Sequence, residues 1–420
     1  MASKRKHGAE SGRLPKRPKV LPLLTLESQI KRELRKHLKT LGFRKDGTGA
    51  LVAPSDTKDA VRDLHSVQRS ELLSQNQEFV ARRWPLLQRH FAEGSEIVPE
   101  RIAPRLELVA SDTWQADLFR MAALSWSVPV SAGYGRRMRW LVWDNANDKL
   151  VGLIALGDPV FNLRVRDEWI GWSVEDRRAR LVNVMDAYVL GAVPPYNALL
   201  GGKMVACLVR TTDVKDAFSA KYADSQGIIS EVCKRPKLCL VTTTSALGRS
   251  SVYNRLSLDG TAYFRSIGST AGWGHFHIPD QLFALMRRYL AQKKDDYSHN
   301  HQFGDGPNWR LRAARKVLSM LGFHPDLLRH GIQREVFVCP IAANAQKILT
   351  GEGKRPNYTS LRTVSQVGEL SRERWLVPRA GRRPEFRAWS REQMLAIIMG
   401  SGQAKNAGPA TAGERRRGTC

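Results

Sequence analysis

The sequence predicts an α/β protein in which a mixed sheet is flanked by helices, with a helical N-terminal region and a basic C-terminal extension. Three observations carry this. Residues 184–190 cluster apolar, aromatic and β-branched side chains as a buried strand does. After a Gly/Pro break, Leu199, Leu200, Met204, Cys207 and Leu208 recur at helical spacings of three and four. Residues 138–143 and 150–156 then read as two strands across a turn-forming stretch, a hairpin that feeds the same sheet.

Charge frames the elements. The 420-residue chain holds 67 Lys/Arg against 40 Asp/Glu, a formal net charge of +27. The excess sits at both ends, with fourteen basic residues against four acidic in 1–50 and twelve against five in 361–420. Such an excess favours a polyanionic partner, most simply nucleic acid. No apolar run approaches the roughly 18–20 residues of a membrane span, and no signal-peptide core follows the start, so a cytoplasmic protein with no membrane partner is expected. The five cysteines are scattered without a CxxC, which points to packed thiols rather than disulfides or a zinc cage.

In chain order, residues 1–22 form a disordered basic arm. Residues 23–103 form a helical basic region. Within it, 25–41 is amphipathic, with Ile30, Leu34, Leu38 and Leu41 as its stripe, and 58–91 is helical with a bend at Pro85. The core occupies 104–350. There 106–109 is a strand and 112–126 a helix, the hairpin follows, and an irregular segment carries Trp169 and Trp172. The central strand then leads into a helix from Tyr196. Next come a strand at 237–244, a short helix at 245–256, and strands at 262–267 and 274–278. Helices at 280–290 and 307–321, a strand at 334–339 and a helix at 342–349 complete it. Residues 351–420 are basic and loop-like, with one late helix at 390–399 and a low-complexity end.

Strand, tight loop and glycine-containing helix start is a geometry that turns backbone N–H groups toward an anion. Gly201-Gly202-Lys203 would let a phosphate approach, and the same glycines equally permit close helix–sheet packing. It is not a Walker loop, because the first glycine and the hydroxyl after the lysine are missing.

Asp158, Asp186 and Glu231 are the acid/base candidates. Asp186 stands out, since a carboxylate inside a buried strand is costly unless it is used or paired. Ser245, Ser250 and Ser251 lack a GxSxG elbow, which argues against a hydrolase. The pairs His275/His277 and His299/His301 have no carboxylate or cysteine at ligand spacing, so no metal site is expected. In the run 303–312, Arg310, Arg312, Arg315 and Lys316 put positive charge on a helix beside Trp309, a combination suited to phosphate and base contact. The alternative is a solvated helix face with Trp309 in the core.

Two resemblances add to this. The segment order over 137–278 resembles the GCN5-related N-acetyltransferase (GNAT) fold, where the loop and helix after the central strand hold the pyrophosphate of acyl-CoA. Its usual loop is Q/R-x-x-G-x-G/A; here Asn197-Ala198-Leu199-Leu200-Gly201-Gly202 stands there, followed by Lys203. Residues 250–256 are similar to that family's Asn…Tyr-x-x-Leu-Gly helix, which implies Tyr253 as general acid; Asp186, from its place in the buried strand, is the base candidate. The runs LVGLIALGDPVFNL, VPPYNALLGGKMVACLV, TTTSALGRSSVYNRL, FGDGPNWRLR and HGIQREVFV resemble the DruA-like family, a component of Druantia anti-phage systems also found in stand-alone bacterial genes. That likeness implies a defence or mobile-element context, with other defence-system proteins as partners. The leading function is a nucleic-acid-associated protein of a bacterial defence or mobile-element system, with an acyl-CoA-dependent modifying enzyme as its catalytic version; the alternative is a non-catalytic DNA-binding or assembly subunit with a degenerate GNAT-like fold.

Overall fold

The computed structural model describes residues 24–47, 51–52, 54, 57–130, 135–223, 225–226, 233–272, 278–295, 309–328 and 331–401. A seven-stranded sheet forms its centre, made of β1 (Pro104–Leu108), β2 (Arg137–Asp144), β3 (Lys149–Gly157), β4 (Val184–Ala192), β5 (Leu240–Thr244), β6 (Arg265–Ser269) and β7 (Glu335–Pro340). The spatial order is β6-β7-β5-β4-β3-β2-β1. The β4–β5 pair is parallel and the other five pairs of the ladder are antiparallel. A mixed sheet flanked by helices is therefore what the sequence folds into.

Alternation along β4 and β5 divides the environment. On one face, Met185, Ala187 and Val241 join Val205, Leu208 and Phe337 beneath the helices α7 (Gly201–Leu208), α8 (Thr212–Tyr222) and α12 (Val364–Ser371). The other face is covered in two separate places. Leu153, Ala155 and Val189 pack under α3 (Ser66–Leu87) and α4 (Trp114–Ala123). Val184, Leu240 and Val338 pack under α5 (Arg164–Ile170) and α11 (Ala345–Thr350). A further helical cluster joins α1 (Leu26–Thr40) to α9 (Asp280–Gln292) and α10 (Trp309–Met320) through Ile30, Leu34, Met286 and Val317. A cleft of about 1040 Å³ remains between this cluster and the sheet.

The structure departs from the sequence reading at several elements. The helix after β4 starts at Gly201, not at Tyr196, because Leu200 adopts a left-handed φ of 64° that a helix cannot continue through. Residues 245–256 are a chain of turns rather than a helix. Gly248 and Arg255 have φ of 79° and 55°, and Ser250 Oγ accepts from the N–H groups of Val252 and Tyr253 at 3.1 and 3.0 Å, a local bond that competes with helix formation. The segment around Trp169 and Trp172 is helical, forming α5 and α6 (Val174–Arg180). The bend expected at Pro85 falls at His65, between α2 (Lys58–Leu64) and α3, while Pro85 lies in the last turn of α3. Residues 273–277 of the expected 274–278 strand lie outside the described residues.

Beyond Gly351 the chain is helical and packed. α12 runs into a π-helical turn, Arg372–Leu376, then α13 (Val377–Arg382), and α14 (Arg391–Ile398) follows. Val367, Trp375, Leu376 and Phe386 join the main core, which is why this arginine-rich stretch is ordered against the sheet.

Candidate functional site

Two places concentrate functional side chains: the loop and helix start beyond β4, and the cleft on the opposite face of the sheet.

At the first, the glycines differ. A Cβ on Gly201 would stand 2.6 Å from the Tyr196 carbonyl oxygen, so this position is closed by backbone. A Cβ on Gly202 would meet nothing nearer than 3.8 Å. The Gly201 N–H donates to Tyr196 O at 2.9 Å and the Lys203 N–H to Leu200 O at 2.9 Å. These donors of the helix start are thus engaged within the loop itself. Asn197 is half-buried, with its N–H on Val193 O at 3.1 Å. Tyr253 lies on this same face. Its hydroxyl donates to Leu190 O at 3.0 Å, its ring packs on Phe264 and Phe337, and burial pushes the phenol above its usual range.

Asp186 faces the other way. It lines the cleft with Thr242, whose hydroxyl donates to Asp186 Oδ1 at 2.6 Å. Burial pushes the Asp186 carboxyl up to about 6, against the Thr242 hydrogen bond and the charge of Arg166. Asp186 and Tyr253 are therefore not brought into one pocket. Asp158 is bound up in structure, accepting from Arg136 Nε at 2.8 Å and from its N–H at 3.0 Å. Glu231 lies outside the described residues, as do the four histidines and residues 303–308. Among the described residues no group of three or more His, Cys, Asp or Glu side chains could hold a metal ion, and no helix is long and apolar enough to cross a membrane.

Residues that sequence reasoning passed over hold the walls of the cleft in place. The Arg166 side chain is fully buried, donating to the carbonyls of Val160 and Phe161 at 2.8 and 2.9 Å and pairing with Asp167 at 2.6 Å. It braces the loop that walls the cleft. Its partners are largely backbone carbonyls, which leave no sequence signal. At the far end Arg334 lies 3.1 Å from Nε2 of the buried His65, whose Nδ1 lies 3.3 Å from Gln68 Oε1.

A basic cluster surrounds the start of α7. The Lys203 ammonium lies 5.7 Å from the centre of the Trp375 ring, and burial, then the charges of Arg374 and Arg379, push it below its usual range. Arg379 is lowered by burial and by Arg383 and Arg382. Arg383 pairs with Glu385 at 3.4 Å. Lys203, Arg374, Arg379 and Arg382 make no ion pair among the described residues. Seven arginines against two glutamates lie in 372–391; folding brings Arg374 and Arg379 beside Lys203, while Arg391 pairs with Glu93 and Glu96 and Arg372 donates to Ile102 O. By contrast, Trp309 of α10 is buried edge-on to Phe283, so it offers no exposed ring. Arg310 is held by Asp280 and by Ile278 O, and Lys316 by Asp295 at 3.5 Å. Arg312 and Arg315 are exposed on that helix.

A family model described as Druantia protein DruA matches residues 55–351. Druantia protein DruA of Escherichia coli (strain UMEA 4076-1) is 54% identical over 385 residues, which cover 91% of this chain and 95% of that protein. The chain belongs to the DruA family. As a DruA protein it is a component of the Druantia anti-phage system, which bears out the likeness of its five sequence runs. The matched stretch spans β1 to β7, with the start of α7 and Asp186, while Arg374, Arg379 and Arg382 lie beyond it. No solved structure matches the chain.

Proposed function

We propose that this DruA protein is the nucleic-acid-binding component of a Druantia assembly, holding the phosphate backbone on the face formed by Lys203, Arg374, Arg379 and Arg382 and working alongside other defence-system proteins. One observation carries the reading: Lys203 and Arg379, without a carboxylate in ion-pair contact, stand at one helix start, where burial and then Arg374 and Arg379 lower the Lys203 ammonium, and burial, Arg383 and Arg382 lower Arg379. An anion with closely spaced charges relieves that repulsion, and polyphosphate backbones have this spacing.

The acyl-CoA version of this function would use a GNAT-like fold, with Asn197, Gly201, Gly202 and Lys203 at the pyrophosphate, Tyr253 as acid and Asp186 as base. The single parallel pair β4–β5 speaks for such a fold. The engaged N–H groups at Gly201 and Lys203 and the separation of Tyr253 from Asp186 across the sheet weigh toward the binding subunit.

The test is binding of a fluorescent oligonucleotide, single- and double-stranded, to wild type and to Lys203→Glu/Arg374→Glu/Arg382→Glu across a salt series. Wild-type affinity should fall steeply with salt, and the triple variant should lower the slope of log K against log salt by about two to three. Equal affinity and slope in the two proteins would overturn the proposal.

A further inference from the structure

The start of α4 holds an aromatic ring out to solvent. Thr113 caps the helix, its hydroxyl accepting from the Ala116 N–H at 3.3 Å, and this sets Trp114 on the first turn. Trp84, Trp140, Trp143, Trp309 and Trp375 are buried, whereas Trp114 is 45% exposed. One face of its indole lies on the His90 ring, with centroids 4.8 Å apart and planes 17° from parallel. Trp143 meets the same imidazole edge-on at 5.4 Å. The stack is fastened in place. Trp143 Nε1 donates to Glu107 Oε2 at 2.7 Å, and Gln115 Nε2 donates to Glu107 Oε1 at 3.0 Å. Arg89 Nε donates to His90 Nε2 at 3.4 Å, and burial, then the charges of Arg89 and Lys149, hold the imidazole below its usual range. His90 is therefore a neutral ring at neutral pH, and the exposure of Trp114 falls on its outer face.

The carboxylates beside this stack are engaged. Glu107 holds the two donors above, Asp117 pairs with Arg83 at 2.8 Å, and Asp148 pairs with Arg105 at 3.3 Å. Within the flanking segments 82–90 and 110–117, Arg82 and Arg89 are exposed without an ion pair, against Asp112 alone. We infer that Trp114 is a stacking platform for one base of a single-stranded nucleic acid, with Arg89 beside it for the adjoining phosphate. The inference deepens the nucleic-acid reading above and rests on it for the class of polymer. A flat ring flanked by guanidinium groups suits a flat group that carries negative charge, which a nucleotide is and an apolar peptide side chain is not. In a duplex both faces of a base are covered by its neighbours, so the platform selects an unpaired strand. β1 joins this platform to the Lys203 cluster. Its Arg105 guanidinium lies 5.2 Å from the centre of Trp143, and its first residue, Pro104, packs against Gly368 of α12, which runs into the Arg372–Leu376 turn. A strand following this edge of the sheet meets a basic cluster at one end and a bare ring at the other.

Fluorescence anisotropy on the full chain tests it across a salt series, with a labelled single-stranded oligonucleotide, the same strand made abasic, and the matching duplex. Trp114→Ala should weaken binding of the intact strand about 5- to 100-fold, as expected for one stacked base. Its salt slope should equal that of wild type, because no phosphate contact is lost. On the abasic strand and the duplex it should bind as wild type does. Trp114→Leu keeps an apolar side chain on His90 and should lose nearly as much, while Trp114→Phe should recover part of the affinity. Lys203→Glu/Arg374→Glu/Arg382→Glu reports on the basic cluster separately, since it should lower the salt slope on all three ligands. A silent Trp114→Ala would overturn the platform whatever the triple variant does. A loss shared equally by intact and abasic strands would also overturn it, by showing that Trp114 only shapes the surface. A silent triple variant beside a weakened Trp114→Ala would overturn the basic cluster and leave the platform, and a wild type that binds none of the three ligands would overturn both.

Discussion

From Val184 to Asp186, β4 pairs with β5, and at Asp186 it also meets β3; from Ala187 onward it has left β5 behind and keeps only β3. The surroundings of the two halves invert what that pairing would suggest. In the unpaired half, two hydroxyls stand in for the missing ladder: Thr243 Oγ1 donates to Ala187 O at 2.8 Å and Tyr253 to Leu190 O at 3.0 Å. Both carbonyls are thereby paired within the core, as buried backbone groups must be. In the paired half the backbone is satisfied, and the polar side chains Asp186 and Thr242 are left to face open space. A binding place here is decided by what the covering helices leave bare, not by which strand, loop and helix follow one another.

The largest expected effect tests the open half. Asp186 has a folded pKa of about 6, above the usual 3.8, so the folded state holds this proton more tightly than the unfolded chain does. Stability from this group is thus present at low pH and is lost as pH rises from about 4 through 6. Asp186→Asn keeps an acceptor for Thr242 and removes the charge. At pH 7 it should be more stable than wild type by up to about 3 kcal/mol, the gap closing below pH ~4. Denaturant unfolding at pH 4 and pH 7 measures this. A destabilised Asn variant at pH 7 would mean the carboxylate is held by partners, and the open half would then resemble the sealed one.

A smaller effect separates two neighbours at the sealed half. Gly201→Ala forces a methyl against the Tyr196 carbonyl and should cost about 1–3 kcal/mol, as overpacking does. Gly202→Ala meets only ordinary contacts and should be neutral, or gain up to about 1 kcal/mol of helix propensity. Thermal melts of the two proteins decide it. Equal losses would show that the loop is rigid throughout.

How much of this could be read in advance follows from the range of each interaction. β2, β3, β4, β5 and β7 were legible because alternation and β-branching are local. Asp186 was legible too, as a carboxylate inside an apolar strand. The start of α7 was not, because Leu199 and Leu200 fit helical spacing while Leu200 turns left-handed. Residues 245–256 misread as helix because a serine-to-backbone bond mimics one turn of it. The basic C-terminal stretch hid its core residues, Trp375, Leu376 and Phe386, among arginines whose gathering around Lys203 is a tertiary event. His65 and Arg334 are 269 residues apart and share no pattern.

Tyr253 supplies the smallest effect and the sharpest contrast between the two readings of the sealed half. Its motif made it a candidate acid, but in the fold its proton is already committed to a main-chain carbonyl across the strand gap. Tyr253→Phe keeps the ring against Phe264 and Phe337 and deletes that one donor. If the hydroxyl is a lock, the variant should lose about 1 kcal/mol, the worth of one buried hydrogen bond, and protect cells from phage as wild type does. If it is an acid, stability should hardly move while protection collapses with a catalytic rate lowered by roughly 10²–10⁴. Measuring unfolding midpoint and plaque formation on the same variant separates the two. The geometry favours the lock, because a phenol that donates to Leu190 must break that bond, inside a closed gap, before it can protonate anything else.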